Sequence, residues 1–178
     1  MKRMFVLFAI IALSSSLLTA QQTADRKNHI GVNPLGLLFK IYSGEYGRYI
    51  DNGTAEINVP FFYWAPTSDL SIVGIGAKYR WYKDKNNEGI FYGGGLALMS
   101  VSWDYSSWSS PDEKITAVTF EPQGEFGYRW RWDSGFTLAP SLTLGYVIGT
   151  VESKSGEKAS YGSAGASWGL NLGLAYEF

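Results

Sequence analysis

The sequence has no cysteine, only one histidine, and no apolar run of the roughly 20 residues a helix needs to cross a bilayer. Without cysteine there can be no disulfide, no thiolate metal site and no lipid anchor on a cysteine. General-base chemistry usually recruits histidine, so the lone His29 gives little to build a catalytic set from. No basic run exceeds two residues and the net charge is −1, so no nucleic-acid partner is expected. Gly74-Ile75-Gly76 and Gly93-Gly94-Gly95 precede no helical pattern, which excludes a nucleotide loop. No catalytic, metal or cofactor-binding set is expected.

Glycine and aromatic residues are plentiful, at 21 glycines and 16% aromatics. Each interior glycine costs a helix about 1 kcal/mol relative to alanine, so this content argues for strands. The chain opens with Lys2 and Arg3, an apolar stretch from Phe5 to Leu13, and small residues from Ser14 to Ala20. That is the pattern of an export signal. Cleavage after Ala20 is expected, leaving residues 21–178 as one domain.

Alternation with a period of two dominates the rest, as in a strand with one apolar and one polar face. Trp168, Leu170, Leu172, Leu174, Tyr176 and Phe178 alternate with Ser167, Gly169, Asn171, Gly173, Ala175 and Glu177. Similar runs start at Ala55, Val73, Val118 and Phe136. Ile90 to Trp103 reads as a strand whose faces cannot be assigned, and Phe39 to Ile50 reads as another. Short turns fall at Asp51-Asn52-Gly53, Lys83 to Glu88 and Asp133-Ser134-Gly135. Longer connections fall at Ala65 to Asp69, Asp104 to Lys114 and Thr150 to Gly162. An even strand count with short turns at one end requires a further strand, and Asn28 to Leu35 is the candidate. The expected fold is all-β, an eight-stranded antiparallel up-and-down transmembrane barrel. Pro60, Pro122 and Pro140 each remove a ladder donor, so bulges or register breaks are expected there.

Glu45, Glu56, Lys78, Arg80, Glu121, Glu125 and Arg129 share the polar face with Gly, Ser and Thr. Charges of both signs among small residues suit a narrow, filled lumen. The opposite face carries Tyr63 and Trp103 towards the loop end, and Tyr79, Trp81, Tyr128, Trp130 and Tyr176 towards the turn end. Two aromatic bands with aliphatics between them form an interfacial girdle, which points to lipid outside. His29 is expected on the lumen side or at the periplasmic rim, and reads best as an ordinary polar rim residue. Tyr105 and Trp108 in the loop 104–114 leave two readings open: a tip for a surface ligand, or aromatics dipping into the lipopolysaccharide layer.

Asn33-Pro34-Leu35-Gly36-Leu37-Leu38-Phe39, Tyr42-Ser43-Gly44-Glu45-Tyr46, Gly124 to Trp130 and Ala175-Tyr176-Glu177-Phe178 carry a family likeness. The chain resembles small, functionally uncharacterised bacterial outer-membrane β-barrel families, of the outer-membrane protein X/A type. The resemblance implies location and fold and brings no activity. It also implies that Phe178 belongs to a signal read by the barrel-assembly machinery. The expected protein is a monomer in the bacterial outer membrane, in contact with lipid and lipopolysaccharide. Its expected role is structural or in surface interaction. A lipid-A-modifying enzyme and a narrow channel are the alternatives.

Overall fold

The computed structural model describes residues 26–107, 110–152 and 165–178. The expected export signal lies outside them, as do Trp108 and the stretch 153–162 of the last expected loop. Eight strands follow one another: β1 Asn28–Val32, β2 Ile41–Ile50, β3 Ala55–Trp64, β4 Leu70–Tyr82, β5 Gly89–Ser107, β6 Ser110–Arg131, β7 Phe136–Glu152 and β8 Gly165–Glu177. Each pairs antiparallel with the next, and β1 pairs with β8 to close the barrel.

Closure is staggered. Partnered residues taken across the strands run His29, Gly47, Asn58, Lys78, Gly95, Gln123, Gly145 and Ser167. At the seam, however, His29 faces Glu177, so the path arrives ten residues above its start (177 − 167 = 10). Such a stagger in an eight-stranded barrel goes with a strand tilt of about 40° and an interior that side chains can fill. Every residue on that path is on the lumenal face, so the alternation read from sequence coincides with inside and outside.

The outside is apolar. Ile57, Phe61, Val73, Ile75, Leu96, Leu98, Phe126, Leu142, Leu144 and Leu170 are all exposed. The inside holds Glu56, Asn58, Lys78, Arg80, Glu125 and Arg129, all buried. The faces of β5, unassignable from sequence, resolve through its glycines. Phe91 and Ala97 are buried inside, while Tyr92, Leu96 and Leu98 point out.

The short turns form where expected and need left-handed backbone. Asp51, Asn52 and Gly53 all have positive φ, as do Asn86 and Asn87 in the β4–β5 turn. Asn and Gly tolerate this conformation best, which is why these dipeptides punctuate the chain.

Four expectations are corrected. First, β1 stops at Val32 instead of reaching Leu35, because Pro34 brings no N–H to the ladder. Residues Pro34–Leu37 form a single helical turn, α1, capped by the side chain of Asn33. Second, β2 begins at Ile41, after a turn in which Lys40 takes positive φ. Third, the stretch 104–114 is mostly strand: β5 continues to Ser107 and β6 starts at Ser110, with an irregularity between Tyr105 and Ser107. Fourth, the prolines produce no register shift. Pro60 has no β4 partner, Pro122 no β7 partner and Pro140 no β6 partner, yet the register is the same on both sides of each gap. In an antiparallel ladder a residue's N–H and C=O point to the same neighbour. Each proline therefore loses pairing on one side only, and its other neighbour, at Glu45, Leu96 or Leu172, stays in place.

Candidate functional site

Six of the seven charged residues singled out from sequence meet in one cluster, in the half of the lumen nearer the short turns. Arg80 on β4 is its hub. Its Nε donates to Glu125 Oε2 at 2.8 Å, Nη1 to Glu56 Oε1 at 2.9 Å and Nη2 to Glu45 Oε2 at 3.2 Å. Three carboxylates from β2, β3 and β6 thus converge on one guanidinium. Lys78 Nζ adds a contact to Glu125 at 3.4 Å, and Arg129 Nη1 lies 3.0 Å from Glu56 Oε2. Three carboxylates against Lys78, Arg80 and Arg129 leave this part of the cluster formally neutral. Neutral side chains add further donors: Asn58 donates to Glu45 at 3.0 Å and Ser141 to Glu125 at 2.8 Å.

The cluster is larger than the sequence suggested. His29, read as a rim residue, is instead fully buried, with Nε2 3.0 Å from Glu56 Oε1. It fits because β2 carries glycine opposite: a Cβ at Gly47 would lie 1.9 Å from His29 Nε2. Tyr82 donates to Glu56 Oε2. Arg129 Nη1 donates to the Tyr49 hydroxyl at 2.6 Å, which in turn donates to Glu177 Oε1 at 2.8 Å. Glu177 also accepts from Arg131 Nε at 2.6 Å. An unbroken polar chain therefore runs from Arg131 through Glu177, Tyr49, Arg129, Glu56 and Arg80 to Glu125 and Lys78. Rings cover the guanidinium faces: Arg80 sits 5.2 Å over Phe91, and Arg129 5.5 Å over Tyr49 and 5.2 Å over Tyr82. Such cation–π contacts gain strength in a dry site.

Strand parity could have found several of these. Tyr49 shares parity with Glu45, Tyr82 with Arg80, and Arg131 with Arg129. Aromatic residues on a charged face were the missed signal.

Glu121 stands apart from the cluster. It faces the lumen further towards the loop end, where Ser167 donates to Oε1, and among the described residues it has no cationic partner. Its carboxylate crosses β7 at Gly145, where a Cβ would lie 2.3 Å from Oε1.

Of the girdle residues, Tyr63, Trp81, Trp103, Tyr128 and Trp130 are exposed on the outside. Tyr79 is half-buried against Trp81, with ring centroids 4.5 Å apart, and Tyr176 is half-buried against Phe136 at 5.4 Å. Further outward aromatics join them: Tyr42, Tyr92, Trp132, Phe136, Tyr146 and Trp168. Phe178 is also exposed, and its backbone exchanges two hydrogen bonds with Asn28 at the seam.

Compared with family models, curated proteins and solved structures, the chain matches none. What the arrangement can do must follow from its geometry. Carboxylates held by two partners at Glu45, three at Glu125 and four at Glu56 have few free lone pairs. The cluster is built to fill and brace the lumen.

Proposed function

We propose that this chain is an integral protein of a bacterial outer membrane, with a structural or surface-interaction role and a lumen closed by its charge cluster. One observation carries the reading: the barrel is inverted, with large aliphatic and aromatic side chains exposed on its outer wall and fully buried charges inside. A water-soluble barrel of this kind would present a continuous apolar belt to solvent and aggregate. In a bilayer that same belt is solvated, and closure satisfies the backbone without water. The aromatic bands at the two ends support the same placement. The charge cluster, cross-linked from strand to strand through Arg80, weighs against a conducting path. His29, held by Glu56 beneath two arginines, weighs against hydrolytic use of the lone histidine.

The test is fractionation. The protein is expected in the outer-membrane fraction, with gel mobility that changes only on boiling, since a closed barrel resists detergent unfolding. Recovery in the soluble periplasmic fraction would overturn the proposal.

A role for Phe178 in assembly can be separated from its energetics. Phe178→Ala removes at most about 2 kcal/mol of apolar burial. The substitution is expected to cut outer-membrane yield in cells severalfold while barely changing urea stability after refolding in vitro. An equal loss in both measurements would assign Phe178 to stability alone.

A further inference from the structure

The barrel wall has a notch. β1 ends at Val32, where it faces Leu174, while β8 continues back to Gly165 on its β7 side. Asn33 extends the seam by one step, its side chain accepting from Leu172 N at 3.3 Å and donating to Asn171 at 3.3 Å. Beyond that, residues 165–171 of β8 have no strand on their β1 side among the described residues. The turn α1 lies against β8 and β2 but supplies no ladder.

The residues beside the notch are apolar. Trp168 is 75% and Leu170 61% exposed on the outer wall of β8, and Leu37 of α1, which lies against β8 and β2, is exposed, as are Leu38 and Phe39 after it. Its inner side is open and polar. Cβ atoms built at Gly165 and Gly169 meet nothing within 4 Å. Between these two glycines, Ser167 holds the Glu121 carboxylate. A strand edge unpaired among the described residues and a part-exposed carboxylate with no cationic partner among them therefore adjoin the same opening, where the edge can take hydrogen-bond partners and the carboxylate favours positive charge.

We propose that this notch is a lateral portal that receives the headgroup of a cationic single-chain amphiphile from the surrounding lipid. Its ammonium sits on Glu121 and Ser167, and its chain runs outward past Trp168 and Leu170. The charge cluster below stops the headgroup from going further. Charge complementarity selects the occupant: an anionic lipid headgroup meets Glu121 with like charge, and an uncharged chain leaves it unpaired. The assignment rests on the outer-membrane reading above.

The test uses the folded barrel in neutral, sugar-headed micelles. An alkylammonium brominated along its chain is titrated in, and Trp168 quenching is taken as the difference between wild type and Trp168→Phe. A carboxylate of the same chain length is the control. The amine is expected to quench saturably and about fivefold more tightly than the carboxylate, the size of a partly exposed ion pair. Glu121→Gln keeps the contact to Ser167 but removes the charge, and should bring the two ligands level. Equal quenching by both in wild type, or a preference that survives Glu121→Gln, overturns the portal. Disulfide-linked dimers of Gly169→Cys without saturable quenching would show instead that a second copy covers the edge, and would also overturn it. Failure to fold in micelles at all would strike the membrane reading, whereas a folded, heat-modifiable barrel without the amine preference strikes only the portal.

Discussion

Arg80→Met is expected to destabilise the refolded barrel by about 4 kcal/mol, read as a lower urea midpoint in detergent. The substitution preserves much of the side chain's length and volume, so little of the loss comes from a cavity. The loss comes from Glu45, Glu56 and Glu125, which Arg80 serves together and which are then short of one positive charge. Breaking a buried pair costs more than the pair itself contributes, because the abandoned charge stays desolvated. Arg129→Met should cost less, about 3 kcal/mol, since among the described residues Arg129 ion-pairs with Glu56 alone and its other partners, Tyr49 and Tyr82, are neutral. Adding Glu125→Gln to Arg80→Met should recover part of the loss by restoring neutrality. An unchanged midpoint in Arg80→Met would mean that water reaches the cluster and screens it, which would return the channel reading to consideration.

Gly47→Ala is expected to cost about 3 kcal/mol, although alanine is otherwise the mildest replacement for a strand glycine. The new methyl would occupy the space of the His29 ring, with contacts to Nε2, Cδ2 and Cε1 all far inside van der Waals range. His29 must then leave Glu56, forfeiting a hydrogen bond to a charged group, worth about 1.5–3 kcal/mol, and adding overpacking strain of about 1–3 kcal/mol. A double-mutant cycle decides whether this is the mechanism. His29→Ala makes room for the methyl, so Gly47→Ala in that background should be nearly neutral. Additive losses would mean that the glycine serves backbone geometry and not the histidine.

The fold was legible because a barrel with an apolar outside and a polar inside writes its two faces into alternate residues. Glu45, Glu56, Lys78, Arg80, Glu125 and Arg129 could be placed inside from parity alone. Parity says which wall a side chain leaves from, but not at what height it arrives, so Glu121 was grouped with a cluster it does not join. The sequence also hid residues whose type conflicts with their place. Tyr49, Tyr82 and Phe91 look like exterior aromatics, yet they cap guanidinium groups inside. His29 lies on a strand of only five residues, and its burial depends on a glycine eighteen residues away across a ladder. Glu177 is visible as polar, but its partner Arg131 is the last residue of β6, next to a turn, where alternation no longer marks a face. The loop 104–114 misled because serines and a proline read as loop composition, whereas long ladder partners carry them as strand.

The β1–β8 seam differs in kind from the other seven strand contacts. Those pairs are neighbours in sequence and can form as hairpins, each zipping from its own turn. This pair joins opposite ends of the described chain through a ladder of four residue pairs, extended only by Asn28 to Phe178 at one end and by the Asn33 side chain at the other. Closing so long a loop costs entropy that no local turn offsets, so the seam is the last contact made during folding and the first released under stress. The polar chain in the lumen spans that joint. His29 on β1 grips Glu56 on β3, and Glu177 on β8 is tied to Tyr49 on β2 and Arg131 on β6. The buried charges thus act as a clasp, locking from within a ring whose ends the backbone alone would hold only lightly.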